Sequence, residues 1–154
     1  MRQPIRVMIA NDSSVIRRLV TESLHEVGNF EVYPAVHGGD AINQLPTVQP
    51  HVLVLATEMP MMNGVQTVRA IRENDPDLPI VMFCLSTESC LKAMLEAIPA
   101  GADDCARFTL RMGHVASAKK VLRDELVPKL RFWADLYLKR LTSHSMLMQH
   151  VEAC

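Results

Sequence analysis

Short apolar segments alternate with amphipathic segments along most of the chain. The apolar segments have the length of strands and lie near Met8, Val32, Leu53, Val81 and Cys105. Between them, apolar residues recur at steps of three and four, which is the spacing of helices that bury one face. The pattern therefore predicts an α/β protein in which helices cover both faces of a parallel sheet.

The predicted strands cover residues 6–10, 30–36, 51–55, 78–84 and 103–107, and the predicted helices cover residues 14–27, 38–46, 64–73, 87–98 and 115–127. Right-handed crossovers and a chain of this size favour a flavodoxin-like, doubly wound (βα)5 sheet with strand order 2-1-3-4-5. We expect one such domain over residues 5–127 and a helical C-terminal extension over residues 128–154.

The extension carries an apolar stripe at steps of three and four, formed by Leu130, Trp133, Tyr137 and Leu141. Two interpretations are equally open. The stripe folds back on its own domain, or it contacts a protein partner, including a second copy in a homodimer, because aromatic residues anchor interfaces. Pro128 is expected to kink the helix or to begin a new one.

Composition narrows the classes of function. A net charge of −1 and 21% charged residues provide no field that attracts nucleic acid or an anionic membrane. The apolar runs are too short to cross a bilayer, and the first residues lack the apolar core of a signal peptide, so a cytoplasmic protein is expected. The four cysteines lack zinc-finger spacing, and reduced thiols are the default in that compartment.

The candidate site lies where ligands bind in such sheets, at the carboxyl ends of the strands. The residues that follow the strands are Asn11 and Asp12, then Ala56, Cys84 and Phe108. Ala56 can accept no proton, metal or phosphoryl group, although it begins the loop "ATEMPMMNG". We expect Asp12 to cap the first helix through its carboxylate.

The segments "VMIANDSS", "LVLATEMPMMNG", "LPIVMF" and "AGADD" resemble the receiver domain of response regulators over roughly residues 5–125. The "EMP-x-M-x-G" loop is most similar to the receiver domain of the chemotaxis methylesterases. In that family, an acid pair after strand 1 holds magnesium and an aspartate after strand 3 takes a phosphoryl group from a histidine kinase. A serine or threonine after strand 4 and a lysine after strand 5 contact the phosphoryl group.

Carried over position by position, the resemblance implies a degenerate phosphorylation pocket. The acid pair corresponds to Asn11 and Asp12, the phosphoacceptor to Ala56, the hydroxyl residue to Cys84, the lysine to Phe108 and the switch aromatic to Cys105. The expected protein is a pseudo-receiver of two-component or chemotaxis-type signalling. It is not an enzyme, needs no cofactor, keeps at most a vestigial metal contact at Asp12, and binds a protein partner through residues 88–127.

Phe108 and Cys84 are expected to fill the space that charge and metal hold in active relatives. One rival interpretation is a small-molecule or redox-responsive sensor that uses the emptied pocket, with Cys84, Cys90 and Cys105 as candidate thiols. Another is the detached regulatory domain of a methylesterase-like regulator. Three histidines, His37, His51 and His114, are expected at the surface.

Overall fold

The computed structural model describes residues 3–109 and 115–153, so His114 lies outside the described residues. Five parallel strands form one sheet in the order β2-β1-β3-β4-β5, which confirms the predicted flavodoxin-like fold. Their bounds are β1 Ile5–Ala10, β2 Phe30–Ala35, β3 Val52–Ala56, β4 Ile80–Cys84 and β5 Asp104–Arg107. Every residue of β3 and β4 is buried, as expected for central strands of a parallel sheet.

The helices are α1 Ser14–Val27, α2 Gly38–Val48, α3 Gly64–Arg72, α4 Thr87–Lys92, α5 Ile98–Ala100, α6 Val115–Val121 and α7 Val127–Ala153. Two π-helical segments, Ala93–Ala97 and Leu122–Leu126, join α4 to α5 and α6 to α7. Helix α2 continues through Pro46, beyond its predicted end, because a proline near the last turn removes only one backbone hydrogen bond.

Alternate residues of the strands face two separate hydrophobic cores. One core contains Val7, Ile9, Val54 and Phe83 and is covered by α1, α6 and α7. The other contains Met8, Leu53, Leu55, Met82 and Cys84 and is covered by α2, α3 and the first π-helical segment. This alternation decides which layer each side chain at the carboxyl edge of the sheet enters.

Pro128 does not end or restart the last helix, because the chain is helical without interruption from Val115 to Ala153. A proline inside a helix donates no hydrogen bond and its ring clashes with the carbonyl four residues earlier. The wider turn just before it relieves that conflict, since Val127 N–H donates to Leu122 O, five residues back. Pro99 follows the other π-helical segment in the same way.

The residues of the predicted apolar stripe become more exposed along α7. Leu130 and Ala134 are fully buried in the first core, and Trp133 packs against that core. Tyr137 is half-buried, and Leu141 is 47% exposed. Up to Tyr137 the helix therefore folds back on its own domain, whereas a homodimer contact through the helix stays a prediction. None of the helices in the described part of the chain combines the length and apolar character of a membrane span.

Candidate functional site

The loop after β3 keeps its shape through backbone and capping contacts. Asn63 caps α3, and its side chain and that of Gln66 bond each other's backbone N–H at 2.9 Å in both directions. Gly64 N–H donates to Thr57 O at 2.9 Å. A Cβ at Gly64 would lie 2.6 Å from Ala56 O, so this close approach requires glycine.

Ala56 ends β3 and carries no reactive group. It is 7% exposed and packs in the same core as Met82 and Cys84. In register it pairs with Phe83 of β4. The methyl group therefore occupies apolar surroundings at the carboxyl edge of the sheet, where an ionised carboxylate would need compensating partners.

Asn11 is buried just after β1, and its backbone N–H, its backbone oxygen and its Oδ1 have partners within the chain. Its N–H donates to Ala35 O at 3.1 Å, and its Oδ1 accepts from Ser13 N–H at 2.9 Å. The Arg17 guanidinium donates through Nη1 to Asn11 O at 2.7 Å. A positive charge at this place disfavours a divalent cation. No pattern in the sequence marks Arg17 as part of the site.

Ser13, not Asp12, caps α1, so the expected role of Asp12 is wrong. Ser13 Oγ accepts from Ile16 N–H at 3.3 Å, and the serine has the extended backbone of an N-cap residue. The contact from Ser13 N–H to Asn11 Oδ1 closes a turn of the kind that asparagine favours and moves the cap one position along the chain. Asp12 is left exposed.

Three thiols lie near one another: Cys84 ends β4, Cys90 lies in α4 and Cys105 lies in β5. Burial raises the pKa of Cys84 well above the ordinary thiol value, and hydrogen bonding to the Cys90 thiol raises it further. Burial also raises the pKa of Cys105, although the positive charge of Lys129 opposes that effect. All three are free cysteines. Because the thiolate is the nucleophilic form, the raised pKa values disfavour thiolate chemistry at Cys84 and Cys105.

The residues that the structure describes contain no cluster of side chains suited to a metal ion. Among these residues, no group of three or more histidine, cysteine, aspartate or glutamate side chains has the arrangement to hold an ion. The exposed Asp12 carboxylate is a single oxygen ligand group, whereas magnesium needs near-octahedral oxygen coordination.

Phe108 does not share a pocket with Ala56 and Cys84, which corrects the expectation that Phe108 and Cys84 fill one space. Its ring is 1% exposed and stacks on Phe83 with 5.3 Å between ring centroids. Phe108 lies in the core under α1 and α6, whereas Ala56 and Cys84 lie in the opposite core. Phe108 stands two residues after Ala106 and therefore keeps the same face of the sheet.

His51 is buried, so its expected place at the surface is wrong. It is 4% exposed, and its Nδ1 accepts from Arg6 N–H at 3.0 Å. Burial lowers its pKa, and so does the positive charge of Arg6. His37 is half-buried and caps α2 by accepting from Asp40 N–H.

An apolar surface is exposed on the helical segments between β4 and β5. Leu91, Met94 and Leu95 are 56%, 58% and 67% exposed, and Ile98 is 36% exposed. We call these four residues the α4 surface, although only Leu91 lies in α4 itself; Met94 and Leu95 lie in the π-helical segment that follows it, and Ile98 begins α5. They fall within residues 88–127, the region expected to contact a partner.

The fold and site together define a doubly wound (βα)5 protein whose loops at the carboxyl ends of β1, β3 and β4 form the candidate site. The chain belongs to the response regulator receiver domain family, which matches residues 7–107. This confirms the resemblance found in the sequence.

Curated relatives agree with the methylesterase-type loop. A protein-glutamate methylesterase/protein-glutamine glutaminase of Nocardioides sp. is 36% identical over 128 residues, which are 82% of this chain and 35% of the relative. A protein of the same name from Trichodesmium erythraeum is 31% identical and covers 92% of this chain and 40% of its own length. The chain thus spans well under half the length of these relatives.

Solved structures share the fold. The response regulator domain of Thermotoga maritima CheB superposes with a TM-score of 0.71 at 22% identity and covers 86% of this chain and 98% of that domain. The Vibrio cholerae chemotaxis protein CheY4 has a TM-score of 0.63 at 25% identity and covers 80% of this chain and 99% of its own. Receiver domains of chemotaxis proteins are therefore what this chain is similar to.

Proposed function

We propose that this protein is a pseudo-receiver: a non-catalytic, cytoplasmic signalling module of a two-component or chemotaxis-type pathway that acts through a protein partner without being phosphorylated. The observation that carries the proposal is Ala56 at the end of β3, where no nucleophile is present. An aspartyl phosphate requires a carboxylate that both attacks the phosphoryl group and binds the metal.

The neighbouring residues support the same conclusion. Asn11 Oδ1 is already bonded to Ser13 N–H, and the Arg17 guanidinium lies where a cation would be repelled. Phe108 is stacked on Phe83 in the opposite core and supplies no charge. The magnesium and phosphoryl contacts that a receiver needs thus lack a counterpart at Asn11 and Phe108 as well as at Ala56.

Titration with magnesium and acetyl phosphate tests phosphorylation independence. Amide NMR shifts of Asn11, Asp12, Ser13, Ser14 and Ala56 should stay unmoved, and the intact mass should not change. The Ala56→Asp variant should also remain unphosphorylated, because restoring one carboxylate does not restore the metal site. A saturable shift at these amides in the unmodified protein, or a mass increase of one phosphoryl group, would contradict the proposal.

The α4 surface is the proposed contact for the partner, since contiguous exposed apolar residues mark interaction sites. Leu95 is 67% exposed, and Leu147, near the end of α7, is a matched control at 64%. When the partner is chemically cross-linked to this protein, Leu95→Glu should abolish the cross-linked complex. Leu147→Glu should still form it. Equal capture by both variants would exclude the α4 surface.

A second candidate is the regulatory domain of a methylesterase-like regulator, favoured by the names and identity of the curated relatives. In that case the partner is a methylesterase catalytic domain. Adding this protein to the isolated catalytic part of the Nocardioides relative should change its rate of glutamate methyl-ester hydrolysis, and Leu95→Glu should weaken the change. An unchanged rate together with no complex on gel filtration would reject this candidate.

A further inference from the structure

A cleft of about 660 Å³ lies at the edge of the sheet opposite Ala56. It opens beneath the amino ends of β1, β3 and β4, next to Arg6, His51 and Leu78. We call it the basal cleft. Its volume falls within the range of small-molecule sites, about 300 to 1,000 Å³.

Helix α7 supplies one wall of the basal cleft. Tyr137 and Leu141 line it, whereas Leu130 and Ala134, earlier in the same helix, are buried in the core. The opposite wall comes from α2 and α3, with Ile42, Leu45 and Ile71 providing apolar surface. The C-terminal extension therefore makes the lower edge of the sheet one wall of an open, largely apolar cleft.

His51 provides an unpartnered polar group inside this cleft. Its Nδ1 accepts from Arg6 N–H at 3.0 Å, so in the neutral ring the proton is assigned to Nε2, which is then a donor. Nε2 makes no hydrogen bond within the described residues, and it is not among their fully buried polar atoms that lack a partner. It therefore remains accessible to a ligand in the cleft that His51 lines. A ligand that brings an acceptor can take the place of water at such a donor.

Arg6 places a positive charge beside His51 in the cleft. Arg6 donates through Nε to Gln49 O at 3.0 Å, which leaves the two terminal nitrogens of its guanidinium for a ligand. The one carboxylate that lines the cleft, Asp75, is engaged through Oδ1 with the N–H groups of Asp77 and Leu78, both at 3.0 Å. A guanidinium binds carboxylate oxygens in a fixed fork geometry.

We propose that the basal cleft binds a small amphipathic carboxylate, with its acid group on Arg6 and His51 and its apolar body between α7 and the α2–α3 wall. The ligand belongs to the class of aliphatic or aromatic monoacids. This site is separate from the degenerate pocket around Ala56 and goes beyond the proposed function.

Calorimetric titration with octanoate tests the proposal, with octanol as a probe of similar length that lacks the charge. Octanoate should bind saturably, and octanol should bind at least about tenfold more weakly, as expected when one charge-assisted contact is lost. No saturable octanoate binding, or equal binding of the two probes, would overturn the assignment.

Four variants locate the site. Arg6→Gln and His51→Asn should each weaken octanoate binding by about tenfold or more, and Ala70→Trp should abolish it by filling the cleft that Ala70 lines. Arg18→Gln is the matched control, because Arg18 is an exposed arginine paired with Glu22 on α1. Folding of each variant is checked by thermal melting. Binding that survives both Arg6→Gln and Ala70→Trp would place the ligand elsewhere.

Discussion

Trp133 Nε1 donates a hydrogen bond to Asp104 Oδ2 at 3.0 Å and ties the last helix to the edge strand of the sheet. Lys129 Nζ lies 3.5 Å from the other carboxylate oxygen and also donates to Cys105 O. Strand β5 pairs with β4 alone, so these side chains of α7 hold its outer side. The C-terminal helix is therefore part of the domain up to Tyr137.

Removing this hydrogen bond should destabilise the fold measurably. Trp133→Phe should lower the free energy of unfolding by about 1 to 3 kcal/mol, since the bond goes to a charged, half-buried acceptor. Urea denaturation measures the change. Tyr33→Phe, which removes an exposed bond to Glu31, is the control and should cost less than about 0.5 kcal/mol. Equal losses in the two variants would show that the Trp133 contact adds nothing.

Core packing by α7 predicts a larger effect at Leu130. Leu130→Ala removes a fully buried side chain and should cost about 2 to 5 kcal/mol. Leu147→Ala, at a position 64% exposed on the same helix, should change the free energy of unfolding by less than about 0.5 kcal/mol. If Leu130→Ala unfolds at the same urea concentration as the unmodified protein, α7 does not pack as described.

The loop after β3 should not tolerate a side chain at Gly64. A Cβ there meets Ala56 O at 2.6 Å, so Gly64→Ala should cost about 1 to 3 kcal/mol through displacement of the backbone. Gly39→Ala is the control, because its nearest contact is the His37 ring at 3.3 Å. That variant should stay within about 1 kcal/mol of the unmodified protein. Comparable thermal melting of both variants would argue against the close approach.

Stability should fall on the acidic side of neutrality because of His51. Burial, followed by the charge of Arg6, lowers the pKa of His51 below its ordinary value of 6.5, although Glu31 opposes the shift. Below that pH the unfolded chain binds more protons than the folded one. The free energy of unfolding therefore decreases as the pH falls through about 6.5.

His51→Asn tests this pH dependence, because asparagine keeps an acceptor for Arg6 N–H but does not titrate. Urea denaturation between about pH 7 and pH 5 should show a smaller loss of stability in the variant than in the unmodified protein. His150→Asn, near the exposed end of α7, controls for removal of an imidazole. An unchanged pH dependence in His51→Asn would contradict the prediction.

The local spacing of apolar residues was sufficient to predict most of the fold. Strands such as Val52–Ala56 are continuous apolar runs, and Ser14–Val27 repeats apolar residues at helical spacing, so each element is recognisable within its own segment. The parallel order followed from connection handedness and size. Pro128 was one exception, because the sequence does not reveal that a π-helical turn would accommodate it. The end of α2 was another, since the helix continues through Pro46.

The site was predictable only as far as it depends on residue identity. Ala56 lacks a nucleophile whatever surrounds it, and the same holds for Phe108 and its missing charge. The capping role passed from Asp12 to Ser13 because the Asn11 side chain bonds Ser13 N–H, a choice between neighbouring polar residues that spacing cannot make.

The sequence by itself therefore determined the sheet, its helices and the lack of a nucleophilic side chain at Ala56, since these follow from local pattern and side-chain type. Only the tertiary structure decided that Phe108 and Cys84 enter opposite cores, that His51 is buried and that Tyr137 walls the basal cleft. Burial and contact arise where segments far apart in the chain meet. His51 and Tyr137 belong to such segments. The sequence around either residue contains nothing that predicts its proximity to the other.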